Sequence, residues 1–406
     1  MKFVYISLLS IFTGSSAFNP QVKTLPPGKA LEYARAFGVG NNQFASDLMN
    51  FYLKQYKNEN IFFSPFSISS ALSMTGEGAK GNTRKELIDV LHLLESDSLR
   101  KLGFLGINQL LNNPKANYKL NTSNSLWVGL DEKLTPDFLS AANDYYQASV
   151  ESINFRNAEE ASKKINSFVE DKTEKKIKNL ITPDAITPLT KLILVNTIYF
   201  KANWQNGFKV ENTREKPFTT SAGNQVQASM MSQNANFNYF EDPEIQALEM
   251  KYEGNEVSMV VILPKTGNSV PVMDPAKLSG ILNSRFINEQ VTVNLPKFKF
   301  ESSYKMKGNL SALGMGTAFS NGADFSGISS IHSLKISEVI HKAYIEVEEK
   351  GTEAAAATAV IMSETTSAPM HHFPKNFNAN HPFLFVIRHN ASGAILFMGT
   401  VNTPTN

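Results

Sequence analysis

Apolar positions recur at helical spacing early in the chain and at strand spacing late. Over Asn42 to Tyr56, the residues Phe44, Leu48, Phe51, Tyr52 and Tyr56 return every three to four positions and predict one apolar helix face. Ser67 to Ala79 is small and apolar on most sides, which predicts a helix buried inside the protein. Ala158 to Leu180 sets Ile165, Phe168, Val169, Ile177 and Leu180 against lysines and acids, and predicts an amphipathic helix. From Leu192 onward the pattern changes to strands. They are predicted at 192–200, 248–252, 257–263, 291–295, 343–347, 383–388 and 395–401. Turn residues bound several of them, as in Tyr252-Glu253-Gly254-Asn255. Helices gathered before strands predict an α+β fold. No stretch of unlike composition and no internal repeat interrupts residues 40 to 400, so 40–406 reads as one domain. A leader with Pro20, Pro26 and Pro27 occupies 18–39.

Composition narrows the function classes. The 406 residues are 42% hydrophobic and 19% charged, too apolar for a disordered chain and ample for a large core. The absence of cysteine excludes thiol nucleophiles, Cys-based zinc sites and iron–sulfur clusters. With 39 basic and 37 acidic residues the formal net charge is +2, too balanced for a nucleic-acid binder.

The first residues stand apart. Met1-Lys2 is a short basic start, Phe3 to Phe12 is mostly apolar, and Ser15-Ser16-Ala17 offers small residues to a signal peptidase. The apolar run is far short of the roughly 20 residues that span a bilayer, so a cleaved leader over 1–17 is expected rather than an anchor. Its removal takes one lysine and no acid, lowering the net charge by one. The expectation is a secreted, extracellular protein with no membrane contact. The end, Thr403-Pro404-Thr405-Asn406, carries no retention tetrapeptide. Export makes Asn121, Asn309 and Asn390 glycosylation candidates, Asn390 being the best placed in its polar turn.

Enzyme chemistry finds little support. No zinc-binding His-Glu-x-x-His, no Gly-x-Ser-x-Gly elbow and no Walker loop is present, and His371-His372 lie between prolines in a loop. No metal and no cofactor is therefore expected. Gly76, Gly78 and Gly81 match a dinucleotide spacing, but they end a helical pattern, which reads as a helix stop. Lys163, Lys164, Lys172, Lys175, Lys176 and Lys178 offer an anionic-polymer site as one reading, but Glu159, Glu160, Glu170, Asp171 and Glu174 interleave with them, which favours a solvated face.

The informative segment runs from Glu348 to Val360. Its alanines would suit a helix. Yet it follows a strand pattern directly and leads into a tract, Ser363 to Pro374, with no helical period. At period two, Thr352, Ala354, Ala356, Thr358, Val360 and Met362 share one face without charge, proline or ring, and Glu353 lies on the other. Such a segment is able to slide between two strands.

The chain resembles a serpin along essentially all of its length after residue 40. The resemblance is carried in order by Asn60-Ile61-Phe62-Phe63-Ser64-Pro65-Phe66-Ser67-Ile68, by Leu194 to Trp204 with Phe208 and Thr213 beyond, and by Ser258 to Pro264. Leu295-Pro296-Lys297-Phe298, Val339 to Ala343, Asn380 to Phe385 and Leu396 to Gly399 complete it. Phe168 stands where the family often has tryptophan.

The resemblance implies an α+β fold of three β-sheets with eight or nine helices, and an exposed loop, about 349–376, presented as bait. It implies a suicide substrate for a serine protease, joined in a covalent one-to-one complex by a monomeric inhibitor. The alternative is a non-inhibitory member acting as carrier, chaperone or structural protein. Glu349, Gly351, Thr352, Ala354, Ala355, Ala356, Ala357 and Thr358 fit an inhibitory hinge. Ser64, Ser67, Asn196 and His341 match the family's shutter, and Trp204, Lys297 and Glu349 its breach, where insertion begins. Counting from Gly351 places the reactive bond at Thr365-Thr366; counting back from Phe377 suggests Ala368-Pro369. Thr365 suits an elastase-like target, Met362 or Met370 a chymotrypsin-like one, and Glu364 an acid-preferring one. A glycosaminoglycan partner rests on Arg100-Lys101 alone.

Overall fold

The computed structural model describes residues 23–267, 269–331, 334–352 and 374–404. Its centre is a six-stranded sheet built from β2 (Tyr118–Gly129), β3 (Ser149–Ile153), β4 (Leu192–Asn203), β10 (Phe298–Lys305), β11 (Glu338–Glu348) and β12 (Gly351–Thr352). The order across it is β10-β11-β12-β4-β2-β3. The even-numbered residues of β4 and the odd-numbered residues of β11 face the main core, among them Leu194, Ile198, Phe200, Val339, Ala343 and Ile345. The opposite face carries Ile193, Val195 and Ile340 into a second cluster, under the helix α6 (Ala158–Lys172). Trp127 of β2 sits in that cluster, edge-on to Phe168 at 5.5 Å. A strand buried on both faces reads as a continuous apolar run, which is why β4 is legible in the sequence.

The second sheet follows the order β1-β15-β14-β8-β7-β6-β9-β13, with β5 paired to β6. Its strands are β1 (Ile61–Phe63), β5 (Arg214–Thr219), β6 (Gln225–Glu241), β7 (Ile245–Lys251) and β8 (Val257–Pro264). The others are β9 (Ile287–Pro296), β13 (Lys375–Asn378), β14 (Phe383–His389) and β15 (Ile395–Val401). The 17-residue β6 pairs with β5 and β9 along most of its length and with β7 near its end. It thereby joins two of the three expected sheets into one hydrogen-bonded path. The remaining helices are α1 (Pro27–Gln55), α2 (Pro65–Gly76), α3 (Gly81–Val90), α4 (Asp97–Leu111), α5 (Pro136–Tyr146), α7 (Pro275–Leu282) and α8 (Lys307–Ala312). Every residue of α2 is buried, as its small apolar composition predicts.

Three expectations change. The helix begun at Pro27 takes in much of the span read as a leader, because proline is tolerated in a first turn and Ala30, Ala34 and Phe37 have a core to enter. The amphipathic helix ends at Lys172 rather than Leu180. Glu174 and Lys175 adopt left-handed backbone, with φ of 52° and 60°, and Ile177 and Leu180 are buried from a loop. The early half also holds β2, whose polar centre, Asn121 to Ser125, hides its strand period.

Candidate functional site

Two polar clusters sit along one line, the seam between β4 and β11. These strands pair directly and in parallel from Glu338↔Ile193 to Ala343↔Ile198. Farther up they part, and the two-residue β12 lies between them, antiparallel to both: Thr352 faces Val347 on one side and Ala202 on the other. The registers agree. Below and above the wedge alike, each β11 residue stands level with the β4 residue 145 positions earlier, as Glu338 with Ile193 and Val347 with Ala202.

The lower cluster brings together the four residues matched to the shutter. Ser64 caps α2, its hydroxyl oxygen accepting from the Ser67 amide at 3.1 Å while donating to the Leu396 carbonyl at 2.6 Å. The Ser64 amide donates to Nε2 of His341 at 3.0 Å. Nε2 is therefore the acceptor, and Nδ1 carries the proton that reaches Asn196 Oδ1 at 2.5 Å. The Asn196 amide then donates to Ser67 and to Asn124 Oδ1, and Asn124 donates to the Ser70 hydroxyl at 2.9 Å. His341 is fully buried, and burial pushes its pKa down to about 3, so the imidazole is neutral. His341 and Asn196 are opposite one another across the seam. This bond is a latch between the two strands.

The upper cluster surrounds β12. Glu349 is buried, its carboxylate accepting from Lys297 Nζ at 2.9 Å and from the Thr213 hydroxyl at 2.8 Å. Burial opposes its charge, yet the Lys297 ammonium and the Thr213 hydroxyl hold its carboxyl below the usual range. Trp204 stacks on Tyr252 at 4.4 Å and donates from its indole to the Glu348 carbonyl at 3.1 Å. The Trp204 and Phe208 amides donate to the carbonyls of Lys350 and Glu349, both at 2.8 Å. Tyr252 completes the anchor by hydrogen bonding the Thr352 hydroxyl at 2.6 Å. Gly351 has to be glycine: a Cβ there would stand 2.1 Å from the Ala202 carbonyl oxygen. The backbone of 348–352 is thus tied down at every residue.

Ala354 to Thr358, Thr365 and Thr366 lie outside the described residues, as does Met1 to Ala17. Asn124, Ser70 and Tyr252 belong to the site without any local pattern that marks them in the sequence, and Thr213, though it lies in a family motif, shows its role only through its contact with Glu349. The glycosylation candidates are scattered. Asn121 is half-buried in β2, and Asn390 donates to the Asn255 carbonyl at 2.8 Å. Asn309 is a correction, since its amide nitrogen is buried and donates to the Tyr52 hydroxyl, leaving no room for a sugar. The glycosaminoglycan contact at Arg100-Lys101 is another. Arg100 is buried with Nε on Glu77 at 2.9 Å, and Lys101 lies 3.3 Å from the same carboxylate, so both charges are spent internally.

Residues 39–404 match the family described as serpin, serine protease inhibitor. A leukocyte elastase inhibitor of Xenopus tropicalis is 40% identical over 89% of this chain and 97% of its own length. An uncharacterised serpin-like protein of Thermococcus kodakarensis is 42% identical over 86% of this chain and 81% of its own. Among solved structures, Serpin48 of the insect Tenebrio molitor, a highly specific serpin, aligns with a TM-score of 0.80 at 32% identity, covering 91% of this chain and 98% of its own.

Proposed function

The chain belongs to the serpin family, described as serine protease inhibitors rather than enzymes, and of its inhibitory and non-inhibitory kinds we propose the first: a secreted suicide substrate. Its cut loop enters the central sheet between β4 and β11. One observation carries the reading: β12 already lies between them in the register that a longer strand would need. Because the offset is the same above and below, the seam has only to widen. No strand has to slide.

The register says where each loop residue would go. Ile193 lies nine positions before Ala202 in β4, so residue 361, nine beyond Thr352, would reach the lower end of the ladder. Ala354, Ala356 and Val360 would face the main core beside Phe200, Ile198 and Leu194, where small side chains fit. Thr358, six beyond Thr352, would arrive level with Asn196 and His341. Its hydroxyl can accept from His341 Nδ1–H and donate to Asn196 Oδ1, replacing the latch that the widening breaks. Antiparallel ladders on both sides would supplant one parallel ladder of six pairs. On the order of ten added hydrogen bonds, at roughly 1 kcal/mol net each, favour insertion.

The attacking serine forms an ester with the carbonyl carbon of Thr365 and expels the amine of Thr366. Thr365 lies four residues past residue 361, so full insertion would carry the ester just beyond the lower edge of the sheet. Distorting the oxyanion hole would then slow deacylation by roughly a hundredfold or more. The small Thr365 supports an elastase-like target, as does the relative named for leukocyte elastase. Met362 or Met370 would serve a chymotrypsin-like pocket. Between Lys350 and Lys375 no lysine or arginine offers a trypsin-like pocket an anchor. Secretion is supported by the pattern of Met1 to Ala17, with Asn121 and Asn390 as the remaining glycan candidates. The test is incubation with elastase, chymotrypsin and trypsin, followed by denaturing electrophoresis and the mass of the released C-terminal fragment. A stable elastase complex with a fragment starting at Thr366 is expected, or a chymotrypsin complex with a fragment starting at Ser363 or His371. Stable trypsin complexes cut within 351–374, or cleavage with no complex at all, would overturn the assignment.

A further inference from the structure

At the lower end of the β4–β11 seam lies a cavity of about 250 Å³. Its floor is Ile193 of β4, Ile340 of β11 and Ile181, all buried, and Leu189, 83% exposed, stands at its mouth. Three lysines line the rim: Lys305, Lys307 and Lys335. Glu338 is the one carboxylate among the lining residues, and its Oε1 is already taken by the amides of Lys307 and Val339 at 3.1 and 2.9 Å. Lys335 donates to the neutral Asn321 side chain at 2.7 Å, and among the described residues Lys305 and Lys307 have no ion-pair partner. Asp184 lies close enough to Lys305 for their charges to attract, and with Glu338 it sets two carboxylates against three ammonium groups, which leaves the rim net positive.

An apolar floor beneath a net cationic rim fits one kind of molecule, an anion with a short hydrophobic body. The cavity is smaller than the roughly 300–1,000 Å³ typical of drug-sized sites, which limits that body to a short acyl chain or a single ring. We infer that this cavity binds a small amphiphilic carboxylate, and that the bound ligand clamps the lower end of the seam. The clamp follows from position, since Ile193 and Ile340 belong to the two strands that must part. The ligand would also fill the level of Ile193 and Glu338, where residue 361 is to arrive; this second part rests on the insertion reading above.

Sodium octanoate is the probe, titrated into full-length protein carrying labelled isoleucine and leucine methyl groups. Saturable shifts at Ile181, Ile193, Ile340 and Leu189 are expected, with octanoate binding at least fivefold tighter than 1-octanol. Lys305→Glu/Lys307→Glu should weaken it at least fivefold, and Leu189→Asp, altering an exposed side chain, is the second variant. Shifts scattered over the surface, or parental affinity retained in both variants, would overturn the site. Saturating octanoate should raise the number of inhibitor molecules consumed per trapped elastase at least twofold. Binding without that rise would overturn the clamp. A protein that traps no protease even without octanoate would instead refute the inhibitory reading, and the methyl shifts would still decide the cavity.

Discussion

At the scale of single residues, His341 concentrates the most consequence. Its folded pKa of about 3 lies below the ordinary value of 6.5, so between these limits the unfolded chain takes up a proton that the folded chain refuses. Stability therefore falls as pH drops below about 6.5, by roughly 1.4 kcal/mol per unit from this group. His389, pushed down to about 4 by burial, acts with the same sign. Urea unfolding at pH 7.5 and pH 5.0 should give a loss of about 2 kcal/mol from His341 that is missing in His341→Ala. The variant itself should be less stable by about 1–3 kcal/mol at pH 7.5, since it strands the Ser64 amide and Asn196 Oδ1 without their partner. It should also insert its loop or polymerise at lower temperature; unchanged melting and unchanged heat-induced polymer would refute the latch. Thr358→Val tests the far side of the same exchange. The cut, inserted form of this variant should melt lower than that of the parent, while the uncut proteins melt alike. Equal melting of the two inserted forms would mean that Thr358 does not reach Asn196 and His341.

At the scale of elements, β12 is only two residues long, yet on the insertion reading it would set the register and facing of the inserted strand. Thr352 is 1% exposed and points into the main core. Thr352→Arg should leave the loop cleavable but delay insertion behind hydrolysis, because an unpaired charge is buried only at large cost. The measurement is the ratio of cleaved to complexed inhibitor after reaction with elastase, expected to shift strongly toward cleaved; the parent ratio would mean that this face is not the buried one. In the sequence this wedge is legible only as a period-two run of small residues, and β4 and β11 as apolar runs. The strands β2 and β6 are not legible there, for a physical reason. The polar residues that β2 lends to the shutter, Asn124 above all, interrupt its hydrophobic alternation. In β6 one face is Ser232, Asn234, Asn236 and Asn238, so the strand reads as a loop. Ser64, Ser67, Asn196 and His341 are identified through family motifs. Their hydrogen-bond order, and the roles of Tyr252 and Thr213, depend on contacts between residues far apart in the chain.

At the scale of the whole molecule, the two clusters and the lower cavity lie on one track, the seam between β4 and β11. The chain contains only two tryptophans, and the fold sets them at opposite ends of this track. Trp204 stacks on Tyr252 where the strands part, while Trp127 is opposite Ile193 near the lower end, with Lys164 5.7 Å above its ring. Each indole is a built-in optical reporter of a different moment. Stopped-flow emission from Trp127→Phe and Trp204→Phe, mixed with elastase, should resolve two steps: Trp204 changes first and Trp127 after a delay. That interval is a transit time, and divided into the nine residues between Thr352 and residue 361 it yields the speed at which the strand advances. Simultaneous changes would mean that the sheet opens along its full length before the loop moves.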